Sequence, residues 1–236
     1  MKFKSVYSPI LNFILPNFCT FCGNNDRFSK IIQICKNCLP GNSDLIKQSK
    51  CMVCQTSIFG GECEYCNSRN IFFKKLEYLH VRDEFHKELI NRIKFKDEPY
   101  LNNYFRLGLK KKWKQFNFPK FNYFCCIPSN RNTQKKRPIS PISSIEFFLS
   151  NHLGLFKQEY LKKISKEVQS GKSFPERFFH ARKSMTINEK FMGKIRGNVL
   201  LVDDIFTTGA TMNEASRILI ENGAEDVYLL ALLRGE

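Results

Sequence analysis

The stretch that decides the fold is residues 199–211, VLLVDDIFTTGAT. Its first four residues, all valine or leucine, are typical of a strand buried on both faces of a parallel sheet. An acidic pair, Asp203 and Asp204, comes next, followed by a turn rich in hydroxyl groups and an amphipathic helix over residues 211–221 that stops before Gly223. Because ligands of open α/β sheets bind beyond the carboxyl ends of the strands, the sequence predicts a binding site at this turn.

The composition of the turn favours a phosphate ligand. Thr207, Thr208 and Thr211 offer hydroxyl donors, Gly209 lets backbone amides approach closely, and the helix that begins there presents free N–H groups. Two carboxylates beside a phosphate would repel it unless they accept hydrogen bonds, for example from vicinal ribose hydroxyls. A sugar phosphate satisfies both halves of the motif, although an acidic strand end before a threonine-capped helix also occurs without any ligand.

Eight of the ten cysteines lie in the first 66 residues, where they form four CxxC pairs. Two residues between paired cysteines let both sulfurs reach one ion, and two such pairs complete a tetrahedron, so we expect about two zinc ions per chain. Gaps of 12, 12 and 8 residues favour pairing of neighbouring CxxC motifs, with a crossed pairing as the alternative. Disulfides, stray thiols or a redox motif are the competing interpretations. The four pairs are Cys19/Cys22, Cys35/Cys38, Cys51/Cys54 and Cys63/Cys66.

The chain divides into two predicted parts. Residues 1–70 form a loop-rich metal module, and residues 71–236 alternate helices with strands, which implies a parallel sheet covered on both faces. Cys125 and Cys126 are expected to be buried strand residues. The predicted helices cover 84–94, 101–113, 142–153 and 211–221; the predicted strands cover 121–127, 199–202 and 227–233; residues 160–168 are ambiguous.

The overall composition is that of a basic globular protein. Hydrophobic residues make up 42%, and 38 Lys plus Arg against 22 Asp plus Glu give a net charge of +16, which excludes a mainly disordered or coiled-coil chain. No apolar run is long enough for a membrane span. The first 18 residues imitate a signal peptide, but Pro9, Asn12 and Pro16 interrupt them and no cleavage site follows, so we expect a cytoplasmic protein.

One lysine-rich segment mixes charges with aromatic rings. Its members, Lys110, Lys111, Lys112, Trp113 and Lys114, combine groups that neutralise phosphates with a ring on which bases can stack, and we predict a single-stranded DNA surface there. Two other interpretations stay open. The neighbouring aromatic residues could belong to the core, and the basic charge could reflect a compositional bias rather than function.

The combination of motifs resembles a known family. Residues 199–211 resemble the phosphoribosyl pyrophosphate (PRPP) signature of type I phosphoribosyltransferases, and the four CxxC pairs narrow this to the ComF family of competence proteins, also called ComFC or GntX-like. Further similarities are LPNFC at 15–19, ELINRIKFK at 88–96 and NGA at 222–224. The resemblance implies an α/β fold, a type I phosphoribosyltransferase-like parallel sheet flanked by helices, preceded by a double zinc-ribbon module.

The resemblance also implies roles for individual residues. Asp203 and Asp204 would hold the ribose hydroxyls of PRPP, and magnesium would bind mainly through the ligand's own oxygens. The 5′-phosphate would be wrapped by Thr207, Thr208, Gly209, Ala210 and Thr211. Single-stranded DNA would be handled during natural transformation, with competence-machinery proteins as possible partners of the zinc module, whose default role is structural.

Turnover of PRPP is the alternative function. An active phosphoribosyltransferase would release pyrophosphate onto an unknown acceptor, with Lys135, Lys136 and Arg137 stabilising the leaving group. Pro138 and Ser140 stand where the family commonly has glycine and asparagine, so we expect PRPP binding ahead of turnover. A PRPP-sensing regulator ranks last, because it requires sequence-specific DNA binding and no helix-turn-helix is evident.

Overall fold

The computed structural model describes residues 18–24, 32–40, 49–58, 61–129, 140–164 and 184–235. The predicted pyrophosphate-loop residues, Lys135, Lys136 and Arg137, lie outside these ranges. Within them, no helix combines the length and the apolar character that crossing a membrane requires.

The described residues form five α-helices and two sheets. Side-chain periodicity explains the helices: Leu89, Ile90 and Ile93 bury one face of α2, and Asp83 caps it by accepting a hydrogen bond from His86 N–H at 2.8 Å. In chain order the elements are α1 (Glu64–Asn67), β1 (Lys75–Val81), α2 (Glu84–Phe95), α3 (Asn102–Lys112), β2 (Tyr123–Cys126), α4 (Ser143–Leu153), β3 (Phe156–Lys157), β4 (Leu161–Lys163), β5 (Met185–Ile187), β6 (Val199–Phe206), α5 (Ala210–Glu221) and β7 (Val227–Arg234).

The main sheet has five strands in the order β1-β7-β6-β2-β3, and every pairing in it is parallel. Its centre is the β6–β7 pair, which runs in register from Val199 opposite Val227 to Phe206 opposite Arg234. Parallel strands joined by helices align their carboxyl ends along one edge. The end of β6 therefore lies at the edge where this class of sheet binds ligands.

The sheet separates two hydrophobic cores, because strand side chains alternate between its faces. Leu200 and Val202 of β6 pack with helices α2, α3 and α4, whereas Val199 and Leu201 pack with α5 and with the antiparallel β4–β5 pair. The cysteine-rich segments follow the same division. Cys19 and Cys35 join the first core, and the Cys51 to Cys66 region joins the second.

Most predicted elements are present, but strands β1, β3 and β5 and the short helix α1 were not predicted. The sequence predicts β6 over residues 199–202, but the strand continues through the acidic pair to Phe206 because Asp203 and Ile205 stay paired with Ala231 and Leu233 of β7. Cys125 is buried in β2 as expected, while Cys126 is half-buried and its thiol donates to Glu146 Oε1 at 3.1 Å.

Candidate functional site

The acidic pair lies in the last residues of β6, with both side chains half-buried. Lys94, on α2, forms an ion pair with the Asp204 carboxylate. On the other face of the sheet, Lys163 of β4 lies near Asp203, whose charge partly offsets the lowering of the Lys163 pKa by burial. The Lys94 ion pair therefore reduces the negative charge that an anionic ligand would meet, and Lys163 adds positive charge at longer range.

The electrostatics of the pair are nevertheless unfavourable. Burial, and then repulsion by Asp204, raise the pKa of Asp203 well above that of an ordinary aspartate. The Asp204 N–H donates to Asp203 Oδ1 at 2.8 Å, which only partly compensates. A ligand that donates hydroxyl hydrogens, or a divalent cation, would relieve this repulsion.

The turn that follows, residues 207–211 and hereafter the threonine turn, depends on one glycine. Gly209 has a φ of +68° and accepts the first hydrogen bond of the twelve-residue helix α5, from Asn213 N–H at 2.8 Å. A Cβ at Gly209 would lie 2.1 Å from the Tyr65 hydroxyl and 2.4 Å from the Phe206 ring. Both the backbone conformation and the lack of space require glycine, which brings the positive end of α5 to the end of β6.

Arg234, the last residue of β7, connects the threonine turn to the cysteine-rich segment. Its guanidinium donates to the Thr207 carbonyl at 2.9 Å and to Thr56 Oγ1 at 3.0 Å, and it lies 4.8 Å from the centre of the Phe206 ring. Gly235 N–H also donates to the Phe206 carbonyl at 2.8 Å. The turn is therefore fixed on two sides before any ligand binds.

The eight CxxC cysteines gather into two groups of four, which we call cluster I and cluster II. Within each group all sulfur atoms lie within 4.8 Å of one another. Sulfur separations of 3.6 Å (Cys22–Cys35) and 3.7 Å (Cys51–Cys66) are close to the roughly 3.8 Å edge of a zinc tetrathiolate tetrahedron. Cluster I contains Cys19, Cys22, Cys35 and Cys38, and cluster II contains Cys51, Cys54, Cys63 and Cys66, which confirms the pairing of neighbouring motifs.

Both clusters have the chemistry of a zinc site. Although burial acts in the opposite direction, backbone N–H groups lower the pKa of Cys19 to about 6 and that of Cys51 to about 7. Thiolates are the zinc-binding form of cysteine, so each cluster contains a sulfur that ionises readily. Around cluster II, half-buried Arg234 supplies positive charge that four metal-bound thiolates would balance. The residues present can hold two zinc ions.

The lysine-rich segment divides into exposed and inward-facing residues. Lys110, Lys111 and Lys114 are exposed. In contrast, Lys112 Nζ donates to the Leu79 carbonyl at 2.8 Å, and the Trp113 ring packs edge-on against Phe148 at 5.5 Å. The half-buried Trp113 therefore has a packing role, and only three of the four lysines face solvent.

Sequence reasoning missed four residues around the acidic pair and the threonine turn: Lys94, Lys163, Tyr65 and Arg234. Lys94 stood in the ELINRIKFK segment without an assigned role, and Arg234 was visible as a charge that ends an apolar strand. Nothing local marks Tyr65 or Lys163, because their positions depend on contacts distant in sequence.

Comparison with known proteins gives two curated relatives and no matching family model. The chain is 24% identical over 234 residues to competence protein ComFC of Streptococcus pneumoniae, covering 92% of this chain and 99% of that protein. It is 25% identical over 177 residues to competence protein ComFC of Bacillus subtilis, covering 73% and 71%. The resemblance to the ComF family is confirmed.

Solved structures include one of glutamine PRPP amidotransferase from Bacillus subtilis, in complex with ADP and GMP. It aligns with a TM-score of 0.39 at 20% identity, over 61% of this chain and 30% of that enzyme. The fold class predicted from the sequence, a parallel sheet flanked by helices together with cysteine-rich clusters, is confirmed.

Proposed function

We propose that this protein binds PRPP or a related sugar phosphate, with magnesium, at the acidic pair and the threonine turn. The observation that carries the proposal is the convergence of three features at the end of β6: two carboxylates, the Lys94 ion pair with one of them, and the amino terminus of α5. The carboxylates suit ribose hydroxyls, and the helix terminus suits a phosphate. A sugar phosphate is the ligand class that uses both.

Magnesium fits the same site through its donor chemistry. The half-buried carboxylates of Asp203 and Asp204 are the hard oxygen ligands that this ion accepts, alongside ligand oxygens and water. When bound, the ion would supply positive charge to the pyrophosphate group. The chain's own contribution is to hold the ribose at the acidic pair and the 5′-phosphate at Thr207, Thr208, Gly209, Ala210 and Thr211.

We further propose that the protein binds single-stranded DNA and acts in DNA uptake during natural transformation. The names of both relatives support the competence role. The exposed Lys110, Lys111 and Lys114 and the net charge of +16 support DNA binding; eight thiolates with two zinc ions would lower that charge only to about +12. The cytoplasm is the compartment in which free thiols and PRPP would both be available.

A second candidate function is transfer of the phosphoribosyl group. Lys163 of β4, whose pKa is influenced by the Asp203 charge, supports it, since a cation near the acidic pair could also stabilise charge during reaction. The leaving pyrophosphate would depend on Lys135, Lys136 and Arg137, which lie outside the described residues, so binding is proposed ahead of turnover. Pyrophosphate release from PRPP in the presence of candidate acceptors tests this function.

Protection from unfolding tests the sugar-phosphate proposal in the complete zinc-loaded protein. With magnesium present, PRPP at about 100 times its Kd should raise the free energy of unfolding by about 2.7 kcal/mol. The corresponding unphosphorylated sugar, ribose, should give no protection at the same concentration. Equal protection by both compounds would show that the phosphate is not recognised.

A further inference from the structure

One buried polar group near the threonine turn has no partner. Tyr65, on the short helix α1 between Cys63 and Cys66, is only 8% exposed, and its hydroxyl has no hydrogen-bond partner among the described residues. Leaving a buried hydroxyl without a partner is unfavourable, and most such groups in proteins are satisfied. An absent partner therefore needs an explanation.

The position of this hydroxyl suggests what the partner is. It lies against Gly209, where an added Cβ would approach it to 2.1 Å, so it is next to the amino terminus of α5. The centre of the Tyr65 ring lies 6.1 Å from the centre of the Phe206 ring. The Arg69 guanidinium lies over the Tyr65 ring, 4.0 Å from its centre. The hydroxyl is thus held at the helix end where anions bind, with cationic side chains nearby.

We infer that Tyr65 is a further phosphate-binding residue, which donates its hydroxyl hydrogen to the phosphate of a sugar phosphate held at the threonine turn. This inference rests on the proposed function and deepens it. Because Tyr65 comes from the cluster II segment, the cysteine-rich module supplies part of the ligand site.

The contacts of Arg234 hold the cluster II segment in a fixed position relative to the threonine turn. Arg234 joins the Thr207 carbonyl to Thr56 of the cluster II segment. Asn213 of α5 makes a second connection, since it accepts from Phe72 N–H at 2.9 Å and donates to the Asn70 carbonyl at 2.9 Å. These bonds hold α1 and the start of α5 together, so the Tyr65 hydroxyl stays at the turn.

The experiment compares Tyr65→Phe with Tyr104→Phe in the full-length, zinc-loaded protein. Affinities for ribose 5-phosphate and for PRPP with magnesium are measured by calorimetry, and stability by urea unfolding. Tyr65→Phe should weaken both ligands by a similar factor, about tenfold or more for a hydrogen bond to a charged group, without lowering stability. Tyr104→Phe, which removes a hydroxyl 3.1 Å from His86 Nε2, should lower stability and leave both affinities unchanged.

The possible outcomes distinguish failure of the Tyr65 inference from failure of the proposed function. If the wild type binds neither ligand, both the proposed function and this inference are wrong. If the wild type binds and Tyr65→Phe binds equally well, only the inference is wrong. A loss confined to PRPP would also overturn it, because the 5′-phosphate is common to both ligands. A parallel fall in stability and affinity would assign Tyr65 a purely structural role.

Discussion

Asp203 lies in an environment that disfavours the ionised form of its side chain. Burial and the Asp204 carboxylate raise its pKa, while the Asp204 N–H and the charge of Lys94 only partly offset them. Above the pKa of an unfolded aspartate, about 3.9, the folded chain therefore retains a proton that the unfolded chain has lost. Stability contributed by this group falls as pH rises from there through the raised pKa.

Asp203→Asn should consequently stabilise the protein. At about pH 8 we expect the free energy of unfolding to rise by about 1 kcal/mol, with a smaller gain at about pH 6, because the amide removes the charge that burial disfavours. Urea unfolding at the two pH values measures the effect. Asp204→Asn is the control, since it leaves Lys94 without its carboxylate and should reduce stability at both values. A destabilised Asp203→Asn at the higher pH would contradict this account.

Gly209 offers a second test at the level of single residues. Gly209→Ala adds both backbone strain at a φ of +68° and a collision with Tyr65 and Phe206, so we expect a loss of about 2–4 kcal/mol in unfolding free energy. Gly154→Ala is matched in φ, +69°, but has no atom within 4 Å, so strain alone should cost about 1 kcal/mol. Equal losses would show that the space around Gly209 does not constrain the turn.

Among the secondary-structure elements, those with a strong local signal were predictable. Strands β6 and β7 have continuous apolar runs, and α5 has helical periodicity ended by a glycine. Strand β1 has no such signal: it includes Lys75, Glu77 and His80, and only two of its seven residues are fully buried. It is a strand because it pairs with β7, about 150 residues later, and that contact is not visible in local sequence.

The candidate site, like the secondary structure, was predictable only where its residues are close together in sequence. The acidic pair and the threonine turn are contiguous in sequence, so their chemistry could be inferred from their order. Lys94, Lys163 and Tyr65 reach the site from three separate elements, and only the packing of α2, β4 and α1 brings them there. The DNA-binding prediction included Lys112 and Trp113 because helix periodicity alone does not show which side chains pack inward.

The two cysteine clusters should differ in their effect on the site, because they lie against opposite faces of the sheet. Cys22→Ser in cluster I and Cys54→Ser in cluster II should each reduce zinc content from about two ions per chain to about one. Only cluster II supports Tyr65 and Thr56, so Cys54→Ser should cause the larger loss of PRPP affinity. Zinc content and calorimetry on both variants check this, and equal losses of affinity would contradict it.

The charge of the whole molecule makes DNA binding dependent on salt. Replacing Lys110, Lys111 and Lys114 by glutamine should weaken binding to oligo(dT) and reduce the slope of log affinity against log salt by about 2, since each phosphate contact on single strands contributes about 0.7. Fluorescence anisotropy between about 50 and 200 mM salt measures both quantities.

A second triple variant distinguishes the effect of this lysine-rich surface on DNA binding from the effect of the total charge of the protein. Replacing Lys87, Lys190 and Lys194, three other exposed lysines, removes the same charge elsewhere and should have the smaller effect. Equal effects of the two triple variants would mean that the interaction follows net charge and not this surface. An unchanged affinity across the salt range in the wild type would exclude electrostatic DNA binding.

The most direct measurement is a calorimetric titration of PRPP with magnesium into the zinc-loaded protein and into an Asp203→Asn/Asp204→Asn variant. Zinc content and unfolding of both proteins are measured alongside, so that a lost site can be distinguished from a lost fold. We predict saturable binding near one PRPP per chain in the wild type and loss of that binding in a folded, zinc-loaded variant. Absence of binding in the wild type, or equal binding in the variant, would contradict the assignment of the acidic pair to a sugar-phosphate site.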